Sequence, residues 1–149
     1  MAQHAYQSFA KFFALALAPL ALASCATSDP GPVGEAAMNP KQLALLEENL
    51  AGKQAGEPVS CISNFGSNQL IKVSDDTILY RVSSRLVYRN DLRSSCPGLA
   101  RDTDILVTQV YGSQICRGDI IRLVDRTSGI GGAACSYGAF TPYRSPPKS

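Results

Sequence analysis

The sequence predicts a small all-β domain: an antiparallel barrel or sandwich of about six short strands, preceded by one short helix and stapled by disulfide bonds. Three observations support this fold class. Between residues 57 and 144, short stretches rich in β-branched and aromatic residues alternate with turn-forming Gly, Asn and Asp. Four cysteines are dispersed through the same region. Residues 40–50, in contrast, have leucines at helical spacing.

The composition excludes several classes of protein. The chain has 149 residues, with 14 Lys and Arg against 12 Asp and Glu, and 45% of its residues are hydrophobic. The nearly balanced charge argues against a dedicated nucleic-acid binder. The hydrophobic fraction is that of a globular chain, and neither a disordered protein nor a polytopic membrane protein has such a composition. The length fits one domain with extra segments at its ends.

The N-terminus predicts an export signal over residues 1–24. Lys11 precedes an apolar stretch, residues 12–23. As a helix this stretch would be about 18 Å long, which is shorter than the roughly 30 Å hydrocarbon core of a bilayer. A charged start, a short apolar centre and small residues after it are typical of a signal peptide. The alternative is a buried N-terminal helix.

A lipid attachment site follows the apolar stretch. The residues Leu22-Ala23-Ser24-Cys25 resemble the bacterial lipobox. This resemblance implies cleavage before Cys25 and acylation of its thiol, and several acyl chains make a durable membrane anchor. Ala26 in the next position implies sorting to the outer membrane, with the protein facing the periplasm. An ordinary signal peptide with a chance cysteine is the alternative. Residues 25–39, rich in Pro and Gly, predict a flexible tether.

Removal of the signal would take away the one histidine of the chain, His4. The mature protein would then lack the imidazole that Ser-His-Asp catalysis, Cys-His catalysis and histidine-ligated zinc require. We therefore expect no enzyme, no cofactor and no metal site. The alternative is a carboxylate-based hydrolase that uses Asp102 and Asp104, which would require a cleft and one carboxyl group with a raised pKa.

A helix and a loop are predicted over residues 40–56. Asn39 is a suitable N-cap, Pro40 suits the first helical position, and Gln42 is placed to complete a capping box. Three leucines share one face of this helix: Leu43, Leu46 and Leu50. This face predicts packing on the domain, and docking to a partner or a membrane is the alternative.

The clearest strand signal spans residues 77–88. A three-residue loop at residues 83–85 would place Tyr80 opposite Tyr88 and make one face wholly apolar or aromatic. A two-residue loop would exchange the two faces and bring arginines onto the apolar one, so we predict the three-residue loop. Arg81 and Arg89 then share the opposite face and form a candidate site for an anion or a partner. A solvated face balanced by aspartates is the alternative.

A second strand pair is predicted at residues 104–111 and 118–125. Both stretches carry apolar residues on both sides. Strands with this pattern are usually central in a sheet or covered on both faces. We therefore expect these strands to be central in their sheet or covered on both faces. One more strand, residues 133–140, is predicted to end before Pro142, and residues 145–149 are predicted to form a disordered tail.

Four cysteines remain once Cys25 carries lipid: Cys61, Cys96, Cys116 and Cys135. Their wide spacing differs from that of zinc ligands, and an even number in a small exported domain predicts two disulfide bonds. Three pairings are possible. We favour Cys61–Cys135 together with Cys96–Cys116, because the closure of a barrel would bring the first and last strands together.

The segments around these cysteines resemble a family of small exported proteobacterial proteins of unknown function. The resemblance covers residues 43–144 and rests on residues 56–62 (GEPVSCI), 96–99 (CPGL) and 112–120 (GSQICRGDI), and on Cys135. It implies export and a shared fold, and it implies no particular activity.

Together these features predict an outer-membrane lipoprotein with a periplasmic, non-catalytic binding or envelope-maintenance domain. The expected partner is another envelope protein or an anionic glycan, contacted through Arg81 and Arg89. We expect no nucleic-acid partner. The alternative is a periplasmic inhibitor of a hydrolase, similar to the small lysozyme-inhibiting lipoproteins.

Overall fold

A computed structural model describes residues 38–64 and 69–147. The predicted signal peptide, Cys25, most of the tether and the last two residues of the tail lie outside the described residues. The described part contains one helix and ten strands: α1 (Pro40–Leu50), β1 (Gln54–Ala55), β2 (Cys61–Ser63), β3 (Gln69–Lys72), β4 (Thr77–Ser83), β5 (Leu86–Asp91), β6 (Asp104–Thr108), β7 (Gln114–Cys116), β8 (Ile120–Asp125), β9 (Gly131–Ser136) and β10 (Phe140–Arg144).

The strands form three antiparallel sheets. The largest has the order β1-β10-β5-β4-β3, the second has the order β6-β8-β9, and β2 pairs with β7. The predicted all-β fold is confirmed, as a sandwich whose sheets do not close into a barrel. There are more strands than predicted because β1 and β7 are too short to give a sequence signal. In addition, the last predicted strand divides into β9 and β10, which belong to different sheets.

Both faces of the five-stranded sheet are covered, and each face has its own apolar cluster. The inner face packs against the two smaller sheets, with Tyr80, Tyr137 and Phe140 at its centre. The outer face packs against α1, where Leu46 is buried together with Leu79 and Val87. The molecule therefore has three layers, with the five-stranded sheet in the middle.

Helix α1 begins as the sequence predicts. The backbone N–H of Gln42 donates to Asn39 Oδ1 at 3.0 Å, and the backbone N–H of Asn39 donates to Gln42 Oε1 at 2.9 Å. This reciprocal pair is the predicted capping box, and it satisfies donors that the first turn would otherwise leave free. The leucine face packs on the domain as predicted.

The β4–β5 hairpin has the predicted register and a different turn. Tyr80 lies opposite Tyr88 as predicted, but Ser83 lies opposite Leu86, so the turn has two residues. The register shifts at Val82, which bulges out of the ladder. The predicted three-residue loop is therefore wrong. The two-residue turn and the one-residue bulge together contain the same number of residues as that loop, so Tyr80 still pairs with Tyr88.

Both disulfide bonds are present, but the favoured pairing is wrong. Cys61 is bonded to Cys116, with their Cα atoms 4.0 Å apart, and Cys96 is bonded to Cys135, with their Cα atoms 5.5 Å apart. The first bond follows from strand pairing, because β2 lies beside β7 and places Cys61 directly opposite Cys116. The predicted Cys61–Cys135 bond assumed a closed barrel, whereas here β9 stays in the three-stranded sheet and β10 enters the other.

Strand β10 continues through Pro142 rather than ending before it. Pro142 lies opposite Tyr88, and its carbonyl oxygen accepts from the backbone N–H of Gly56 at 2.8 Å. A proline has no N–H to return that bond, so the short ladder between β1 and β10 stops at this point. The proline is therefore accommodated next to a two-residue edge strand.

Candidate functional site

The arginine face is not an open surface. Arg81 and Arg89 share one face of the five-stranded sheet, as the register predicts, but the same face carries Leu79 and Val87, which are buried under α1. Arg89 is only 3% exposed. Its Nε donates to both carboxylate oxygens of Asp91 at 3.0 Å, so its charge is neutralised within the domain. The interpretation of Arg89 as a partner-binding residue is therefore wrong.

Arg81 connects the sheet to the helix. Its Nη2 donates to Oδ1 of Asn49, and its Nη1 donates to Oε1 of Gln69 at 3.4 Å. Asn49 is itself buried in α1, and its Nδ2 donates to the Leu45 carbonyl oxygen at 2.7 Å. The half-buried Arg81 therefore has a structural contact. The signal that the sequence offered was the alternation of Leu79 and Val87 with the arginines, which marks this face as partly apolar.

Asp102 and Asp104 border a seam between β3 and the loop that precedes β6. Lys72 of β3 bridges this seam: its Nζ donates to the backbone carbonyl of Arg101 and, at 2.9 Å, to that of Asp104. Asp75 holds the same loop from the other side, since its Oδ1 accepts from the backbone N–H of Ala100 at 3.1 Å. The loop is thus fixed against the five-stranded sheet.

Two grooves flank this bridge and share Lys72 and Asp102. One, of about 340 Å³, lies between the start of α1 and the loop, with Lys41 and Leu45 in its wall. The other, of about 470 Å³, lies between β3 and β6 and is lined by Leu70, Lys72, Asp102, Asp104, Ile105, Leu106 and Arg126. We call the second one the β3–β6 groove.

Metal ligands do not gather at the seam. Within residues 38–64 and 69–147, no three His, Cys, Asp or Glu side chains come together in a way that would hold a metal ion.

A buried chain of hydroxyl groups crosses the core. The Tyr80 and Tyr137 hydroxyl oxygens are 2.5 Å apart, and the Thr108 hydroxyl is 2.7 Å from that of Tyr137. Burial raises the pKa of the Tyr80 phenol far above its ordinary value, and the neighbouring Tyr137 raises it further. Burial likewise raises the pKa of Tyr137. Both phenols therefore stay protonated in the folded protein, where they join β4 to β6.

We expect stability to fall in alkali because of these two phenols. Unfolded tyrosines ionise near pH 10, whereas the folded ones keep their protons. Below about pH 10 the two phenols therefore do not change the free energy of unfolding with pH. Above that value the free energy of unfolding falls, by up to about 1.4 kcal/mol per pH unit for each phenol. Urea unfolding between about pH 9 and about pH 11 measures this loss.

The variants Tyr137→Phe and Tyr111→Phe form a matched pair for this experiment. Tyr137→Phe removes one buried phenol and is expected to make the pH dependence shallower. Tyr111 is 84% exposed, so Tyr111→Phe is expected to keep the wild-type slope. Equal slopes in all three proteins would contradict the assignment.

One face of the three-stranded sheet is apolar and open. Ile105 and Val107 of β6 are 38% and 44% exposed, and Ile120 of β8 is 45% exposed. Arg122 lies beside Val107 in the neighbouring strand and is also exposed. We call the three-stranded sheet sheet C, and these four residues the sheet C face. Strand β8 is central in its sheet, as one of the two predicted arrangements requires, whereas β6 is an edge strand and this face is not covered by the described chain.

A model of a protein family of unknown function matches residues 8–136, which is most of the chain. The chain belongs to DUF6491. No curated protein and no solved structure matches it. The DUF6491 match agrees with the expected family of unknown function, and it extends over the apolar N-terminal stretch, Cys25 and the strands from β1 to β9.

Over the two ranges of this DUF6491 chain that the structure describes, no helix has both the length and the apolar character needed to cross a bilayer.

Proposed function

We propose that this DUF6491 chain is an outer-membrane lipoprotein whose periplasmic domain is a non-catalytic binding module. The sheet C face is the surface that contacts its partner, another protein of the envelope. The open apolar surface formed by Ile105, Val107 and Ile120 carries this proposal. Contiguous exposed aliphatic side chains are costly in water and are typical of surfaces that bind another protein.

The chemistry of the sheet C face favours a protein over an anionic glycan. A glycan with negative charges would be held by several cations, whereas this face has three aliphatic residues and one arginine, Arg122. Protein interfaces combine an apolar centre with arginine in this way. Arg81 and Arg89 are engaged by Asn49 and Asp91 within the domain, so they do not support the glycan alternative.

The anchor is supported by the sequence. The lipobox-like residues end at Cys25, directly after a short apolar stretch, and the DUF6491 match includes both. Acyl chains on Cys25 would hold the domain at a membrane surface.

Replacing Cys25 by serine tests the anchor. The wild-type protein is expected in the outer-membrane fraction, with a mass increased by acyl chains. The variant Cys25→Ser is expected to lose both the added mass and the membrane association. An unmodified wild-type protein with its N-terminus intact, or equal membrane association of both proteins, would contradict the proposal.

Photo-crosslinking in intact cells tests the binding surface. A photoreactive residue at position 120 is expected to give a discrete product with a different envelope protein, and Arg122→Glu is expected to reduce its yield. Position 82 is the control, because Val82 is 38% exposed but lies in the β4 bulge, outside the sheet C face. Equal products from both positions, or none from position 120, would contradict this surface.

A further inference from the structure

We propose that two copies of this chain form a symmetric dimer in which β6 of one copy pairs antiparallel with β6 of the other. This inference goes beyond the proposed function, because it requires neither the anchor nor an envelope partner. It follows from the hydrogen-bonding edge of β6, its lack of protecting residues, and the fit of the strand to itself.

The hydrogen bonds between β6 and β8 show which edge of β6 is occupied. The backbone N–H of Arg126 donates to the Thr103 carbonyl at 2.9 Å, and that of Gln109 donates to the Ile120 carbonyl at 3.4 Å. In an antiparallel ladder the residues that bond to the neighbour alternate along the strand. The odd-numbered residues of β6 therefore direct their peptide groups toward β8.

The even-numbered residues of β6 direct their peptide groups the other way, where none of the described strands pairs with them. These residues are Asp104, Leu106 and Thr108. Lys72 Nζ binds the Asp104 carbonyl oxygen at 2.9 Å, so one end of this edge is engaged. Leu106 and Thr108 keep outward peptide groups that a further strand would satisfy.

Strand β6 also lacks the devices that protect other edges. Edge strands are commonly blocked by a charged residue, a proline, a very short length or a covering loop. Among the described strands, β3 carries Lys72, β1 has two residues, and β9 is bonded to the loop between β5 and β6 by the Cys96–Cys135 disulfide. The residues after Asp104 in β6 are Ile, Leu, Val and Thr. Such a strand is a template for another strand.

With a two-fold axis at Val107, the outward peptide groups of Leu106 and Thr108 form hydrogen bonds with the second copy. Leu106 then pairs with the second copy's Thr108, and each pair exchanges two hydrogen bonds. On the sheet C face, Val107 lies against the second copy's Val107. Asp104 lies opposite the second copy's Val110, so no like charges face each other. The strand is thus complementary to itself in hydrogen bonding, in apolar contacts and in charge.

The same register also positions Tyr111, which is 84% exposed. Tyr111 follows β6 by three residues, in a bend, so the second copy's Tyr111 lies beyond the paired strands, on the side of Asp102 and the β3–β6 groove. Leu70 and Leu106 form the apolar wall of that groove. A tyrosine at the edge of such a groove is typical of residues that contribute strongly to binding. One symmetry operation therefore brings an exposed aromatic residue toward a groove on each copy.

Analytical ultracentrifugation of the purified full-length protein tests this dimer. Wild type is expected to sediment as a dimer. Val107→Lys is expected to be monomeric, because it places two cations at the two-fold axis, and Tyr111→Ser is expected to raise the dissociation constant at least about tenfold. The control Val82→Lys adds the same charge at a similarly exposed valine outside β6 and is expected to remain dimeric. Circular dichroism of each variant checks that the fold is kept.

Crosslinking distinguishes this dimer from other assemblies. A photoreactive residue at position 107 of the purified protein is expected to give a product of twice the chain mass, joined near position 107 of the second copy. A monomeric wild type, or a dimer that Val107→Lys leaves intact, would overturn the inference. Either result leaves the test of the proposed function unaffected, because that test scores a different protein crosslinked at position 120.

Discussion

Replacing Gly138 by alanine is expected to destabilise the domain by about 3 kcal/mol or more. A Cβ at this position would overlap the carbonyl oxygen of Asp91 and lie 3.1 Å from its carbonyl carbon. Both atoms belong to the backbone of β5, so they cannot move aside as a side chain would. The buried Asn90 fixes the contact further, since its Oδ1 accepts from the Gly138 N–H at 3.0 Å and its Nδ2 donates to the Gly138 carbonyl at 2.9 Å.

The matched control for this substitution is Gly131→Ala. A Cβ on Gly131, at the start of β9, would meet no atom within 4 Å. We expect Gly131→Ala to change the free energy of unfolding by less than about 0.5 kcal/mol. Urea unfolding of the two variants measures both values. Similar losses would show that the close approach of Gly138 to β5 does not limit stability.

Removing the Cys96–Cys135 bond is expected to lower the free energy of unfolding by more than Gly138→Ala does. Its sequence separation of 39 corresponds to about 4 kcal/mol of loop entropy, as an upper value. Both cysteines are also buried in the inner cluster, so the double substitution Cys96→Ala/Cys135→Ala leaves a cavity that adds to the loss. We expect this variant to be the least stable of those considered, in urea unfolding at neutral pH.

The second disulfide bond provides the comparison. Cys61–Cys116 has a sequence separation of 55, so its loop entropy is similar, again about 4 kcal/mol. Its cysteines are half-buried, and Cys61→Ala/Cys116→Ala leaves a smaller cavity. The variant is expected to lose less stability, and in the wild-type protein this bond is expected to be reduced first by a dithiol. Faster reduction of Cys96–Cys135, or an equal loss of stability, would contradict the ranking by burial.

Features that depend on neighbouring residues were predictable. Asn39, Pro40 and Gln42 specify the start of α1 within four positions, because a capping box is a local arrangement. The pairing of Tyr80 with Tyr88 was also predictable, since the alternation of side chains along one hairpin restricts its register. The number of disulfide bonds followed from the four cysteines between residues 57 and 144.

Features that depend on which elements become neighbours were not predictable from the sequence. The partner of Cys61 is determined by the pairing of β2 with β7, and the three residues of β7 give no pattern to reveal that pairing. Arg89 was assigned to an open face because nothing in the local pattern shows that α1 lies over it. The covering of that face is a tertiary contact between segments separated by about forty residues of sequence.

The sheet C face gave the opposite error. The apolar residues on both sides of β6 and β8 predict strands that are central or covered on both faces. Strand β8 is central, yet Ile105, Val107 and Ile120 remain exposed in the single chain. An apolar pattern indicates that a face is buried, but it does not show whether the residues that cover the face belong to the same chain. In the proposed function, the missing cover is supplied by a partner protein.

The position of β10 has a consequence for the timing of folding during synthesis. The last strand of the chain lies between β1 and β5, so the largest sheet has a gap until residues 140–144 leave the ribosome. Long-range pairing of this kind makes folding slow, and no earlier part of the chain can complete the middle layer. The nascent polypeptide therefore cannot close its largest sheet before β10 has been synthesised.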